Sequence, residues 1–143
     1  MRRTPFLYRA LYAFLASRGM GIVLVAPLRL YLQSGRYREP DVLLLLDAAD
    51  ARRRNRSWTG ADFVIEVASP DDPQLDLVRK RVEYAAAGIP EYWMVNPVTE
   101  QIIVLRLDGT EYVEHGRFGR DTQATSVLLE GFAVDVTEVL DAR

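Results

Sequence analysis

Apolar residues recur at helical spacing near the amino terminus, where Phe6, Ala10, Leu11, Phe14 and Leu15 line one side of a helix predicted over Pro5 to Ser17. Thr4-Pro5 starts this helix and Gly19 stops it. Arg9 interrupts the apolar run, which is far shorter than the roughly 20 residues needed to cross a bilayer. The segment is therefore read as a core-facing helix, neither leader nor membrane anchor. From Ile22 to Gln33 the pattern turns β-type, with Pro27 as a bulge or break. Pro40-Asp41 then opens Val42 to Leu46, a continuous apolar run that suits a strand covered on both faces. Asp47 to Gly60 carries Arg52, Arg53, Arg54 and Arg56 and reads as an exposed loop, its arginines solvated or gripping phosphates.

Ala61 to Ser69 alternates, with Phe63, Ile65 and Val67 on one face and Val64, Glu66 and Ala68 on the other. Glu66 is thus a carboxylate in the middle of an apolar strand. Pro70 ends that strand, and Asp72-Pro73 supplies an N-cap and a first helical residue. In the helix that follows, Leu75, Val78, Val82 and Ala85 form the apolar stripe, and Asp76, Lys80 and Tyr84 share its flank. Gly88 and Pro90 end it. Tyr92 to Val95 and Gln101 to Leu107 are further strands, and Asp108-Gly109 turns the chain into Thr110 to Val113. A short strand is expected at Ser126 to Leu129, and a terminal helix at Val136 to Leu140 capped by Asp135, with Glu138 three residues on. This order predicts an α/β (α+β) single domain over residues 1–143, with a mixed central sheet.

Composition narrows the chemistry. With 143 residues, 49% hydrophobic and 27% charged, the chain is an ordinary globular domain. It has no cysteine, which excludes disulfides, thiolate nucleophiles and Cys-ligated metals and fits a cytoplasmic location. Its one histidine, His115, sits in a polar stretch and is read as an exposed strand residue. The net charge of −2 means that any polyanion must be met by a local patch. Of 18 basic side chains a single one is lysine, Lys80, in a chain that otherwise writes Arg. A compact ammonium, whose pKa can move, does work that a planar guanidinium does poorly.

Three ionisable groups stand at special places: Asp41 where a strand begins, Glu66 within the next, and Lys80 on the helix after it. On adjacent strands the two carboxylates would converge and repel unless a cation neutralised them. Mg²⁺, with Mn²⁺ as a substitute, suits two oxygen ligands because it keeps several waters of its own. Lys80 would then stabilise charge developing on a phosphate. The plain alternative is a structural ion pair between Lys80 and Glu66 or Asp76, with Asp41 only a turn former.

The stretches Arg38-Glu39-Pro40-Asp41, Asp62 through Glu66 to Pro70, Asp76 through Lys80 to Tyr84, and Gly88 through Tyr92 to Pro97 together resemble the Uma-type restriction endonucleases, a bacterial family of the PD-(D/E)XK nuclease superfamily. The resemblance implies a restriction-endonuclease-like core with a carboxy-terminal hairpin and without the family's hairpin ahead of the first helix. It also implies that Asp41 and Glu66 hold the metal and that Lys80 completes the site. The superfamily usually places its lysine two residues after the second acid, a position held here by Ala68; the resemblance implies that Lys80 has moved to the following helix. Tyr84 belongs to the same pattern, either bonding within the site or packing on the sheet. Asn96 stands where the family more often has Asp.

The function expected on this basis is metal-dependent hydrolysis of DNA phosphodiester bonds by Asp41, Glu66 and Lys80, with RNA or branched DNA open to the same residues. Cleaving both strands of a duplex would favour a homodimer. No organic cofactor and no membrane are implied. The alternative is a catalytically inactive nuclease-fold domain that binds nucleic acid or a protein partner. Trp58, in the arginine loop, could stack on a base.

Overall fold

The computed structural model describes residues 2–33, 35–69, 71 and 74–142. The chain runs α1 (Arg3–Arg18), β1 (Ile22–Val25), β2 (Arg29–Tyr31), β3 (Tyr37–Arg38), β4 (Val42–Leu45), β5 (Ser57–Trp58), β6 (Phe63–Val67), α2 (Gln74–Ala86), β7 (Glu91–Asn96), β8 (Gln101–Asp108), β9 (Glu111–Phe118), β10 (Gln123–Thr125), β11 (Ala133–Asp135) and α3 (Val136–Leu140). A six-stranded mixed sheet in the order β1-β4-β6-β7-β8-β9 forms the middle layer. Every neighbour pair in it is antiparallel except β6 and β7, which α2 joins as a parallel pair.

The expected alternation in β6 decides how the layers form. Phe63 and Ile65 join one apolar cluster with Leu7, Leu11 and Leu15 of α1, Phe132, and Val136, Val139 and Leu140 of α3. Val64 and Ala68 join the other, with Leu77, Tyr84 and Ala85 of α2. β4, buried along its whole length, feeds both: Val42 and Leu44 one way, Leu43 and Leu45 the other. In α1 the fully buried line is Leu7, Leu11 and Leu15, with Phe6, Ala10 and Phe14 packed beside it, so the stripe is rotated slightly from the expected one. Gly19 ends α1 with a φ of 61°, the left-handed conformation that glycine adopts without steric cost.

Several expectations are corrected. In α2, Val78 and Val82 are 56% and 65% exposed, whereas Leu77, Tyr84 and Ala85 are buried. Lys80 and Tyr84, taken for a flank, lie on the inward face, where both reach a buried carboxylate. Pro70, Asp72 and Pro73, the expected strand stop and helix cap, lie outside the described residues, as do the side chains of Leu75 and Asp76. The β8–β9 turn is Gly109-Thr110, since Asp108 already pairs with Glu111. β9 extends to Phe118 and carries His115 as the extra, exposed residue of a bulge, with Glu114 opposite Leu105 and Gly116 opposite Val104.

Ser126 to Leu129 is not a strand. Its Ser126 hydroxyl and the Val127 and Leu128 amides all donate to the Glu91 carboxylate, at 2.6, 2.9 and 2.8 Å, which bends the segment around β7. The strands there are β10 and β11, on either side of it. α3 forms as expected, with Asp135 accepting from the Glu138 amide at 3.0 Å. The arginine loop is partly ordered: Arg52 bridges Asp50 and Asp62, and β5 pairs in parallel with β2 to build a small sheet, β3-β2-β5.

Candidate active site

Antiparallel pairing of β4 with β6 sets Val42 opposite Ile65, so the preceding residue on one strand, Asp41, meets the following residue on the other, Glu66. Directly opposed residues share a face of the sheet, here the face covered by α2. The Asp41 carboxylate accepts the Val67 amide through Oδ2 at 2.6 Å. That bond fixes the group at the end of the strand pair.

The parallel β6–β7 pair requires a crossover, and α2 supplies it, crossing over Glu66. Lys80 Nζ lies 3.4 Å from Glu66 Oε1, and the Tyr84 hydroxyl donates to Oε2 at 2.5 Å. Lys80 and Tyr84 are four residues apart on one helical face, which is why one carboxylate can meet both. Glu66 is 5% exposed and Tyr84 fully buried. Burial raises the Glu66 carboxyl to about 7; Lys80 and the Tyr84 hydroxyl pull it down, and the Asp41 charge pushes it up. Burial, with the Glu66 charge beside it, holds the Tyr84 phenol well above its ordinary range.

Arg38 and Glu83, to which the sequence reading gave no role, form a bidentate pair beside this cluster, with Nε to Oε1 at 2.7 Å and Nη2 to Oε2 at 3.0 Å. The Arg38 guanidinium holds the Glu83 carboxyl below its usual range. The pair ties β3 to α2 and steadies the helix that presents Lys80. Arg38 opens the Arg38-Glu39-Pro40-Asp41 stretch, so its place before Asp41 was the available signal.

Two carboxyl groups and one ammonium meet in a largely dry place, and carboxylate oxygens are the donors that Mg²⁺ and Mn²⁺ prefer. Among the described residues no group of three or more His, Asp or Glu gathers to hold a metal. Asp41 and Glu66 therefore fit a cation that keeps most of its waters, and do not fit a closed protein cage. Glu91, the other buried carboxylate among the described residues, is no further ligand. It faces the α1 side and accepts the Trp93 indole N–H at 2.7 Å besides the loop 126–128. Trp58 is 1% exposed and packs in the core, so the base-stacking role considered for it is excluded. Asn96 closes a turn, accepting the Val98 and Thr99 amides.

A family model described as "Putative restriction endonuclease", Uma2, matches residues 2–137. The chain belongs to the Uma2 family. The match spans α1, the whole central sheet and α2, and so includes Asp41, Glu66 and Lys80. Among solved structures, a "putative nuclease belonging to DUF820" from Anabaena variabilis superposes with a TM-score of 0.78 at 14% identity, over 97% of this chain and 78% of that one. At that identity the likeness is one of fold, and the Uma2 chain shares with it a mixed α/β nuclease-like architecture. No curated protein matches the sequence. No helix among the described residues is long and apolar enough to cross a membrane.

Proposed function

We propose that this Uma2 protein is a divalent-metal-dependent endonuclease that hydrolyses DNA phosphodiester bonds. The observation that carries the reading is the convergence of Asp41, Glu66 and the chain's one lysine at the end of two adjacent strands. Asp41 and Glu66 are the residues that would hold Mg²⁺ or Mn²⁺. When bound, such a cation polarises a phosphoryl oxygen and makes water more acidic. Lys80, beside Glu66 Oε1, holds an ammonium where the attacked phosphorus gathers negative charge, and stabilises that charge more than it stabilises the ground state. Tyr84 occupies Glu66 Oε2 and keeps the carboxylate in one rotamer, leaving Oε1 on the Lys80 side. Burial by α2 limits water around the pair, which strengthens each of these interactions. The reading treats residues 1–143 as one cytoplasmic domain, with a homodimer where both strands of a duplex are cut.

A second reading is a nuclease-fold domain without hydrolysis that binds nucleic acid or a protein partner. It is favoured by the way protein groups already satisfy the carboxylates: Val67 on Asp41, Tyr84 and Lys80 on Glu66. Calorimetric titration of Mg²⁺ and Mn²⁺ into the parent and Glu66→Gln, with plasmid nicking on the same samples, separates the two. Metal binding and nicking that both vanish in Glu66→Gln support the endonuclease. A folded parent that neither binds metal nor nicks overturns it.

A further inference from the structure

The small sheet β3-β2-β5 has two faces. Leu30 and Trp58 point into the core, 0% and 1% exposed, and Arg38 reaches α2. The alternate residues point outward: Arg29 and Tyr31 on β2, and Tyr37 opposite Tyr31 on β3. Tyr31 and Tyr37 are 36% and 45% exposed, with ring centroids 5.7 Å apart. The Arg29 guanidinium lies 4.4 Å over the Tyr37 ring. These rings cover no core, and the stacked arginine holds one of them in place.

The segments that build this small sheet are rich in arginine. Residues 29–38 and 52–58 contain seven arginines and no acidic residue, in a chain whose net charge is −2. Arg38 and Arg52 are engaged by Glu83, Asp50 and Asp62, but Arg29, Arg36, Arg53, Arg54 and Arg56 are exposed. Glu39 is the acid that acts on Arg29. Base stacking on a protein surface needs exposed π-faces beside cations that meet the phosphates, and tyrosine with arginine supplies both.

We infer that the outward face of β2 and β3, built by Tyr31, Tyr37 and Arg29, is a stacking platform for unpaired bases, and that the substrate is recognised as single-stranded nucleic acid or as a duplex with unpaired nucleotides. This deepens the endonuclease reading and rests on it for the claim that the bound strand is the substrate. Tyr37 precedes Asp41 by four residues, on the order of 13 Å of extended chain. Arg38, between them, turns to the opposite face and joins Glu83 on the helix of Lys80. The platform and the carboxylates thus adjoin along the chain but open on opposite faces of β3, so a strand that reaches both must pass around the edge of the small sheet. Stacking is tolerant of sequence because every base has a π-face, so the platform selects exposed bases and not a recognition sequence.

The test is fluorescence anisotropy in EDTA, with a labelled oligo(dT), an oligo(rU) of equal length and a duplex of that length. The parent is expected to bind a single strand more tightly than the duplex, and Tyr31→Ala and Tyr37→Ala each to weaken that binding by about tenfold or more. Tyr37→Trp retains it, and Tyr12→Ala, at a more exposed ring on α1, leaves it unchanged. Preference between oligo(dT) and oligo(rU) assigns DNA or RNA, and either supports the platform. Arg29→Gln, with a thermal melt of every variant, guards against a folding defect.

Unchanged binding in both folded tyrosine variants overturns the platform, as does a parent that binds no single strand. A tyrosine variant that changes only the sedimentation coefficient assigns the face to self-association and overturns it too. Plasmid nicking with Mg²⁺ is scored separately. A parent that binds through the tyrosines but never nicks removes hydrolysis and leaves the platform standing. Nicking with tyrosine variants that bind like the parent does the reverse.

Discussion

The Tyr84 hydroxyl donates a 2.5 Å hydrogen bond to Glu66 Oε2, across the interface between α2 and the sheet and between two side chains almost closed to water. The bond joins the helix that carries Lys80 to the strand that carries Glu66, so the geometry of the site and the docking of α2 are one feature. Tyr84→Phe keeps the ring and its edge-on contact with Tyr92, at 5.1 Å, but deletes the donor. The expected result is a stability loss of about 1–3 kcal/mol, with a Glu66 carboxyl that ionises at higher pH than in the parent. Urea unfolding reads the first, and a carboxyl-resolved NMR or infrared titration the second.

Folding stability is expected to fall between pH 4.5 and 7. The Glu66 carboxyl has its ordinary value of 4.5 in the unfolded chain and about 7 in the folded one, so in that window the folded state holds the extra proton. Its contribution is full below 4.5 and is lost as pH rises through about 7, a change of about 3 kcal/mol at most. Glu83 works in the opposite sense, since its lowered pKa gives stability that is lost toward acid. Urea unfolding of parent and Glu66→Gln across the window isolates the first effect. The variant loses the decline, and a variant that declines as steeply as the parent contradicts the assignment.

Lys80→Ala removes the ammonium beside Glu66 Oε1 and leaves the carboxylate with Tyr84 alone. Under the endonuclease reading nicking falls by at least about 10²-fold, the scale seen when one charge-stabilising donor is lost. Circular dichroism and a thermal melt on the same variant check that the fold is intact. Cleavage at the parental rate by a folded Lys80→Ala variant would falsify its catalytic role.

Glu91→Ala strips the acceptor from the Trp93 indole, the Ser126 hydroxyl and two backbone amides at once. Leaving several buried donors unpaired costs about 3 kcal/mol or more. Because Glu91 faces the α1 side of the sheet, the metal binding that the endonuclease reading expects at Asp41 and Glu66 should be unaffected in whatever fraction stays folded. Thermal unfolding and calorimetry on one sample check both halves.

The sequence by itself determined the elements whose residues face one environment along their length. β4 is apolar throughout because both its faces are covered, β6 alternates because its two faces meet different helices, and α3 begins where Asp135 can accept the Glu138 amide. Such signals are local, so spacing and capping chemistry were enough. The same holds for Glu66, a carboxylate conspicuous in an apolar strand, and for Lys80, singular in composition.

The tertiary structure decided what depends on which surface each element meets. Apolar content alone turned α2 toward Val78 and Val82, but the helix docks on a face that holds a buried carboxylate, and the polar groups that reach it stabilise the docked orientation more than two valines would. Ser126 to Leu129 has strand-like composition, but the Glu91 carboxylate, remote in sequence, takes the Val127 and Leu128 amides. Trp58 is buried for a similar reason, since β5 pairs with β2 and turns the indole inward while Tyr31 and Tyr37 are left outside. In each case a residue far along the chain supplies the partner, and hydrogen bonding and burial between distant segments leave no periodicity to read.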